Sequence, residues 1–244
     1  MLCKNCGEEV TCNFCSNCGQ KSEIHRVNAH YVFSEIPNSL LQLNRGFLFT
    51  AKELFVRPGH HIREFLEGKR KNSYKPISYL LLTSTLYVLT SLLLEKNTFL
   101  SDIVTGFKSG IEESKDVSDT YILDWMTDNQ IYLPFLILPL YSLATYVVYI
   151  KSKFNYFEHL VISFYITGHQ ILFYFIFTLI VWLDNLVLLT PITLGIIFNY
   201  WAFNQFFSEK STFKNFILVS LSYFIFLIIT GIILFCLTII FRVW

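Results

Sequence analysis

Five of the six cysteines in this 244-residue chain fall within its first eighteen residues: Cys3-Lys4-Asn5-Cys6-Gly7, then Cys12, then Cys15-Ser16-Asn17-Cys18-Gly19. Two CxxCG knuckles separated by eight residues are what a tetrahedral zinc ion requires. Each knuckle is a tight turn that aims two thiolates at one metal, and the glycine accommodates the bend. The spacing predicts a zinc ribbon over residues 1–21 with Cys3, Cys6, Cys15 and Cys18 as ligands. Cys12 forms a further CxxC with Cys15 and leaves open whether it replaces a ligand or stays a free thiol. Four protein ligands leave no open position, so Zn2+ would be a structural cofactor rather than a catalytic one. A segment this short has no core of its own and should be unfolded without metal.

Other chemistry-bearing residues are sparse. His169 and Gln170, then Asn199, Asn204 and Gln205, interrupt otherwise apolar runs. Depth matching from the Asp184-Asn185 turn brings His169 level with Asn199, which predicts an intramembrane polar site built on a His169–Asn199 hydrogen bond. His169 is placed near mid-bilayer by the same count. Glu158-His159 reads as an interfacial pair. His60-His61 cannot easily share an ion, because adjacent helical residues point about 100° apart. Asp116, Asp119, Asp124 and Asp128 lack the glycine turn and terminal Glu of a calcium loop and read as a solvated acidic face. No GxSxG, HExxH, P-loop or dinucleotide fingerprint is present, and no catalytic residue is assigned.

These residues must be held by a membrane protein. The chain is 53% hydrophobic and only 15% charged, with a mean hydropathy of +0.47, where soluble domains carry about a quarter charged residues. Five uncharged stretches, 76–94, 131–150, 160–183, 186–207 and 216–241, are each about the 20 residues needed to cross a hydrocarbon core. The expected fold is therefore an all-α integral membrane protein, with five transmembrane helices in 76–241 and a small N-terminal zinc ribbon. Residues 1–75 contain no signal-peptide core, so the first helix acts as its own insertion signal. Fifteen of the 19 Lys and Arg fall on the N-terminal side of such a layout. The first opposite loop carries eight acids against three lysines. This bias places the N-terminus in the cytoplasm and the C-terminus outside. Pro134, Pro139 and Pro191 are positioned to kink their helices and open cavities, and Cys236 reads as a packing residue.

Residues 22–75 form a basic amphipathic segment between ribbon and membrane. Three short helices are expected, at Tyr31–Leu43, Phe47–Val56 and His60–Glu67, with apolar stripes such as Phe33, Ile36, Leu40 and Leu43 lying on the bilayer or against the bundle. Arg57, Arg63, Lys69, Arg70 and Lys71 are candidate contacts to anionic lipid or an anionic ligand, since each cation near such lipid is worth about 1 kcal/mol. Nucleic acid is disfavoured, because residues 1–27 balance Lys4, Lys21 and Arg26 against Glu8, Glu9 and Glu23.

The ordered motifs Phe14-Cys15…Cys18-Gly19-Gln20, Arg45-Gly46-Phe47, Arg57-Pro58-Gly59, Ile62-Arg63-Glu64 and Glu67-Gly68-Lys69-Arg70 leading to Pro76 resemble an uncharacterised bacterial family, domain of unknown function 3667. That family pairs an N-terminal zinc ribbon with several membrane helices. The resemblance implies a multi-pass protein of the bacterial cytoplasmic (inner) membrane and carries over no catalytic residue. Cys12 departs from the family's pattern. The leading functional expectation is a membrane-anchored scaffold or adaptor that contacts membrane lipids and presents the ribbon to a cytoplasmic protein partner. The alternative is a transporter or lipid-handling protein with a cavity between kinked helices near His169.

Overall fold

A computed structural model describes residues 1–39, 46–95, 97–112, 120–180 and 189–243. Leu40, Leu43, Asp116, Asp119 and the Asp184-Asn185 turn lie outside the described residues, as do the side chains of Ile36 and Cys236. Among the described residues ten helices follow one another: α1 (Ala29–Ser39), α2 (Gly46–Val56), α3 (Pro58–Glu67), α4 (Pro76–Leu93), α5 (Phe99–Glu112), α6 (Thr120–Asp128), α7 (Leu133–Val148), α8 (Tyr156–Ile180), α9 (Leu189–Phe206) and α10 (Thr212–Val243). Among the described residues the only extended pairing is two isolated antiparallel bridges in the N-terminal segment, Leu2 with Glu9 and Phe14 with Lys21.

Proline punctuates the helices. Pro58 and Pro76 open α3 and α4, and Pro134 lies at the start of α7, where a missing N–H costs nothing. Pro134 is thus a helix start rather than a kink. Pro191 likewise falls in the first turn of α9, leaving Pro139 as the interior proline of α7. α3 ends at Gly68, which is left-handed at φ +115° and donates its N–H to Glu64 O and Phe65 O.

Among the described residues three helices are long and apolar enough to cross a membrane: α4, α8 and Thr212–Ile233 of α10. The expectation of five spans is not supported. α7 has 16 residues, about 24 Å of helix against a core of roughly 30 Å. α9 carries Asn199, Asn204 and Gln205 within its 18 residues. α10 leaves Phe213, Phe224 and Leu227 exposed, a surface suited to lipid rather than water.

α4 and α8 run in the same direction. Tyr165 Oη donates to Tyr74 O at 2.6 Å, Tyr79 meets His169, and Tyr87 packs on Tyr174. The start of α4 is therefore level with Tyr165, nine residues after α8 begins, so roughly 14 Å of α8 extends beyond α4. That projecting stretch, residues 158–166, is buried throughout. α3 packs on one side of it through His61, Ile62 and Phe65, and the end of α9 lies close by. The approach of α3 to α9 depends on Gly59, where a Cβ would collide with Ala202 O and the backbone N of Phe206.

The acidic connection between α4 and α7 contains the packed helices α5 and α6, with Asp124 and Asp128 exposed on α6. Phe99 stacks on Tyr174 at 5.3 Å and its N–H is held by Tyr87 Oη at 2.8 Å. Lys108 pairs with Asp124 across the two helices.

Candidate metal centre and the polar sites of the bundle

The two knuckles are near-copies. In the first, Gly7 N donates to Cys3 O at 2.9 Å, and in the second Gly19 N donates to Cys15 O at 2.8 Å. Gly7 and Gly19 have φ of +79° and +69°, a conformation that an L side chain rarely adopts. The turns bring Cys3 Sγ within 3.6 Å of Cys18 Sγ and Cys6 Sγ within 3.5 Å of Cys15 Sγ. All four sulfurs lie within 4.8 Å of one another. Thiolates around one tetrahedral zinc at Zn–S of about 2.3 Å would stand about 3.8 Å apart. The cluster could therefore hold a metal ion, and four thiols suit a soft or borderline one. Backbone N–H groups of Cys6 and Asn5 pull the Cys3 thiol down to about 7, and the Cys18 backbone lowers that of Cys15. Both shifts favour the ligating thiolate. The Glu8 backbone likewise lowers the Cys6 thiol, but burial and the neighbouring Cys15, Cys18 and Cys3 thiols outweigh it and push Cys6 up to about 12. Cys12 is exposed, with its sulfur 3.8 Å from Thr11 Oγ1 and outside the cluster.

The N-terminal cysteine segment is fastened to the helices. Gln20 Oε1 accepts the backbone N–H groups of Arg70 and Lys71 at 3.0 and 3.1 Å. Lys71 Nζ donates to Gly19 O at 3.1 Å. Arg26 grips Glu158 through two bonds of 2.8 and 2.7 Å and also donates to Lys153 O. Glu158 is 3% exposed, so the buried carboxylate has a charged partner, and this contact holds the guanidinium above its ordinary value. Its sequence neighbour His159 turns away and meets Thr145 Oγ1 at 3.1 Å. The two form no acid–base pair.

The five cations expected to face lipid all have partners within the chain. Arg57 binds Glu53 at 2.5 Å and Glu64 at 3.2 Å. Burial opposes its charge, but the hydrogen bonds it donates to Glu64 and Glu53 raise it above the usual range. Burial likewise tends to raise the Glu64 carboxyl, and Lys69 and Arg57 outweigh this and lower it. Lys69 meets Glu64 at 3.1 Å. Arg63 donates to Phe206 O and lies 3.5 Å from Glu209. Arg70 donates to Phe65 O and His25 O and covers the rings of Tyr31 and Phe65.

The His169–Asn199 hydrogen bond does not form. His169 Nδ1 bonds to Tyr79 Oη at 2.9 Å, its ring is enclosed by Phe55, Phe173 and Phe198, and its Nε2 has no partner among the described residues. Asn199 instead pairs with Tyr141 Oη. The register explains the change: His169 lies level with the first turn of α4, so that helix supplies its partner, and His169 is not midway along the α4 span. Asn199 opens onto a cavity of about 370 Å³ between α4, α5, α7, α8, α9 and α10, where Gln130, Tyr141, Thr167 and Gln170 supply uncharged polar groups and no Asp, Glu, Lys or Arg among the described residues lines the wall. Sequence reading missed this chamber, because its wall comes from six helices far apart in the chain.

Residues 44–88, which span α2, α3 and most of α4, match the family model described as "Protein of unknown function (DUF3667)". No curated protein and no solved structure matches the chain. The matched stretch contains the Gly59 contact and the five basic residues Arg57 to Lys71. The stretch carrying these features is thus similar to a domain family of unknown function, and it runs into the first of the membrane-type helices.

Proposed function

We propose that this chain is a non-catalytic scaffold of the bacterial cytoplasmic membrane, in which a structural zinc ribbon is held rigidly on the helical body and offers its outer face to a cytoplasmic protein partner. The observation that carries the reading is the mounting of the ribbon. Its inner side is fixed through Gln20, Lys71 and Arg26, while Leu2 and Phe14, one in each bridge, are left exposed on it. Rigid apolar side chains raised on a metal-held turn lose little entropy on binding. Zinc is favoured over other metals by four thiolates and a site with no open position. The cytoplasmic side follows from the Lys/Arg bias.

The test is quantitative co-purification from native membranes at matched abundance, comparing the intact chain with Leu2→Ser/Phe14→Ser and with Cys3→Ser/Cys6→Ser. Partners lost from both variants support the scaffold. A partner set unchanged in both overturns it.

The 370 Å³ cavity favours a second reading, as a lipid-handling or transport protein. An uncharged amphiphile suits that wall, with its apolar body against Leu133, Ile137 and Phe226 and a hydroxyl or amide against Gln130, Gln170 or Asn199. Widening the wall by Tyr141→Ala, which abolishes the Asn199 bond, should alter the lipids that co-purify. An unchanged lipid profile would remove this reading.

A further inference from the structure

A second cavity, of about 570 Å³, lies where the ribbon meets the first turn of α4. Its wall is of another kind. Lys21, Arg70, Lys71 and Lys75 line it, against the single carboxylate of Glu23, which sits 3.5 Å from His25. Arg70 and Lys71 satisfy their hydrogen bonds only with carbonyl oxygens and aromatic rings, and among the described residues neither charge meets a carboxylate. Arg57, Arg63 and Lys69 of the same segment each have one. Two positive charges without a carboxylate partner among the described residues, Arg70 and Lys71, therefore line this cavity.

Two further observations point to a ligand. Pro76 opens α4, so the N–H groups of Ile77 and Ser78 have no partner inside the helix and face out of its positive end. Two buried side chains lining the cavity are also unsatisfied. Gln20 is 5% exposed and Ser78 is 2% exposed, and among the described residues neither Gln20 Nε2 nor Ser78 Oγ has a partner. An amide N–H and a hydroxyl are both donors to oxygen. Buried donors without partners cost about 1–3 kcal/mol each, and an acceptor-rich anion would satisfy both. α4 turns apolar from Pro76 onward, so the cavity stands at the depth where a spanning helix meets lipid head groups.

We propose that this cavity binds a phosphate group, with Lys21, Arg70 and Lys71 supplying the charge and Gln20, Ser78 and the first turn of α4 supplying neutral donors. The phosphate joins the ribbon to the membrane domain, because Gln20 belongs to the first and Ser78 to the second. The same chemistry could arrive as the head group of an anionic phospholipid or as free phosphate.

The zinc-loaded full chain is reconstituted in nanodiscs of phosphatidylcholine with or without phosphatidylglycerol, and retained lipid is read by native mass spectrometry. Inorganic phosphate is titrated calorimetrically into the phosphatidylcholine discs. Lys21→Gln/Lys71→Gln changes two exposed lysines and leaves the apolar packing intact. At about 1 kcal/mol per cation it should weaken binding roughly 25-fold. Lys52→Gln/Lys151→Gln removes the same charge elsewhere and should change binding less than about twofold. Ser78→Ala should weaken binding severalfold without lowering the melting temperature. Selective retention of phosphatidylglycerol with this pattern identifies the lipid head group as the source. Phosphate binding with the same pattern identifies the free anion. Absence of both, or equal losses in the two lysine pairs, overturns the site, since a diffuse basic surface would not distinguish between the pairs.

Discussion

Tyr79 Oη and His169 Nδ1 stand 2.9 Å apart, across two helices that run in the same direction and whose residues differ by 90 positions. The bond sets the depth at which α4 and α8 are matched. It leaves His169 Nε2 buried and unpartnered among aromatic rings. Tyr79→Phe should orphan both ring nitrogens and cost about 1–3 kcal/mol. The double variant Tyr79→Phe/His169→Phe, which removes both polar partners, should recover most of that loss. Thermal melts of the four proteins in one detergent form the cycle. Additive losses would show that the bond does not join the helices.

Gly59 governs the contact between the matched segment and α9. A methyl group there meets backbone atoms of Ala202 and Phe206 rather than a side chain that could rotate away. Gly59→Ala should therefore destabilise by more than about 3 kcal/mol or prevent accumulation of folded protein. Gly106→Ala, in open space on α5, is the matched control and should be neutral or slightly stabilising. Fluorescence size-exclusion of detergent extracts separates the outcomes. Equal behaviour of both would contradict the close packing of α3 on α9.

His61 should make stability depend on pH. Burial pushes its pKa from 6.5 down to about 4, because the charged ring loses its hydration between Phe49 and Tyr165. Above pH 6.5 both folded and unfolded chains carry it neutral. Between 6.5 and 4 the unfolded chain binds more protons, so stability falls as the pH is lowered, and below 4 this contribution is constant. The full effect is at most about 3 kcal/mol. His61→Phe should flatten that part of the profile of melting temperature against pH. A parallel profile for the variant would locate the acid sensitivity elsewhere.

Metal content should separate the cysteines. Cys3→Ser, Cys6→Ser, Cys15→Ser and Cys18→Ser are each expected to lose at least about tenfold in zinc affinity, while Cys12→Ser retains one equivalent, because its sulfur lies outside the cluster. Elemental analysis of purified protein provides the count. Chelation of the intact chain should expose residues 1–27 to protease while leaving α4 and α8 protected. Loss of zinc from Cys12→Ser would reverse the ligand assignment.

The knuckles were legible in the sequence because a CxxCG turn is local: four residues and one positive φ decide where two sulfurs point. The apolar runs were legible for a similar reason, since length and composition suffice to mark a membrane-type helix, as they do for α4, α8 and α10. The bounds of α3 could be read from Pro58 and Gly68, which act within one turn. α5 and α6 were missed, as charge density in their segment masked short amphipathic helices.

What only the tertiary structure decided is which residues meet. Depth counting from the turn places His169 level with Asn199, and the His169 ring does lie beside that of Phe198 at 4.7 Å. The faces the helices present, however, give His169 to Tyr79 and Asn199 to Tyr141. α8 also starts about 14 Å before α4, where Glu158 meets Arg26. Basic residues that look alike in sequence divide in the same way: Arg57 and Lys69 fall beside Glu64, whereas Arg70 and Lys71 face carbonyl oxygens at the base of the ribbon. The sequence by itself determined the thiol cluster and the apolar helices, because these depend on neighbours a few residues away. The partners of the polar groups depend on the relative heights of helices joined by long connections, and close packing of the whole chain sets those heights.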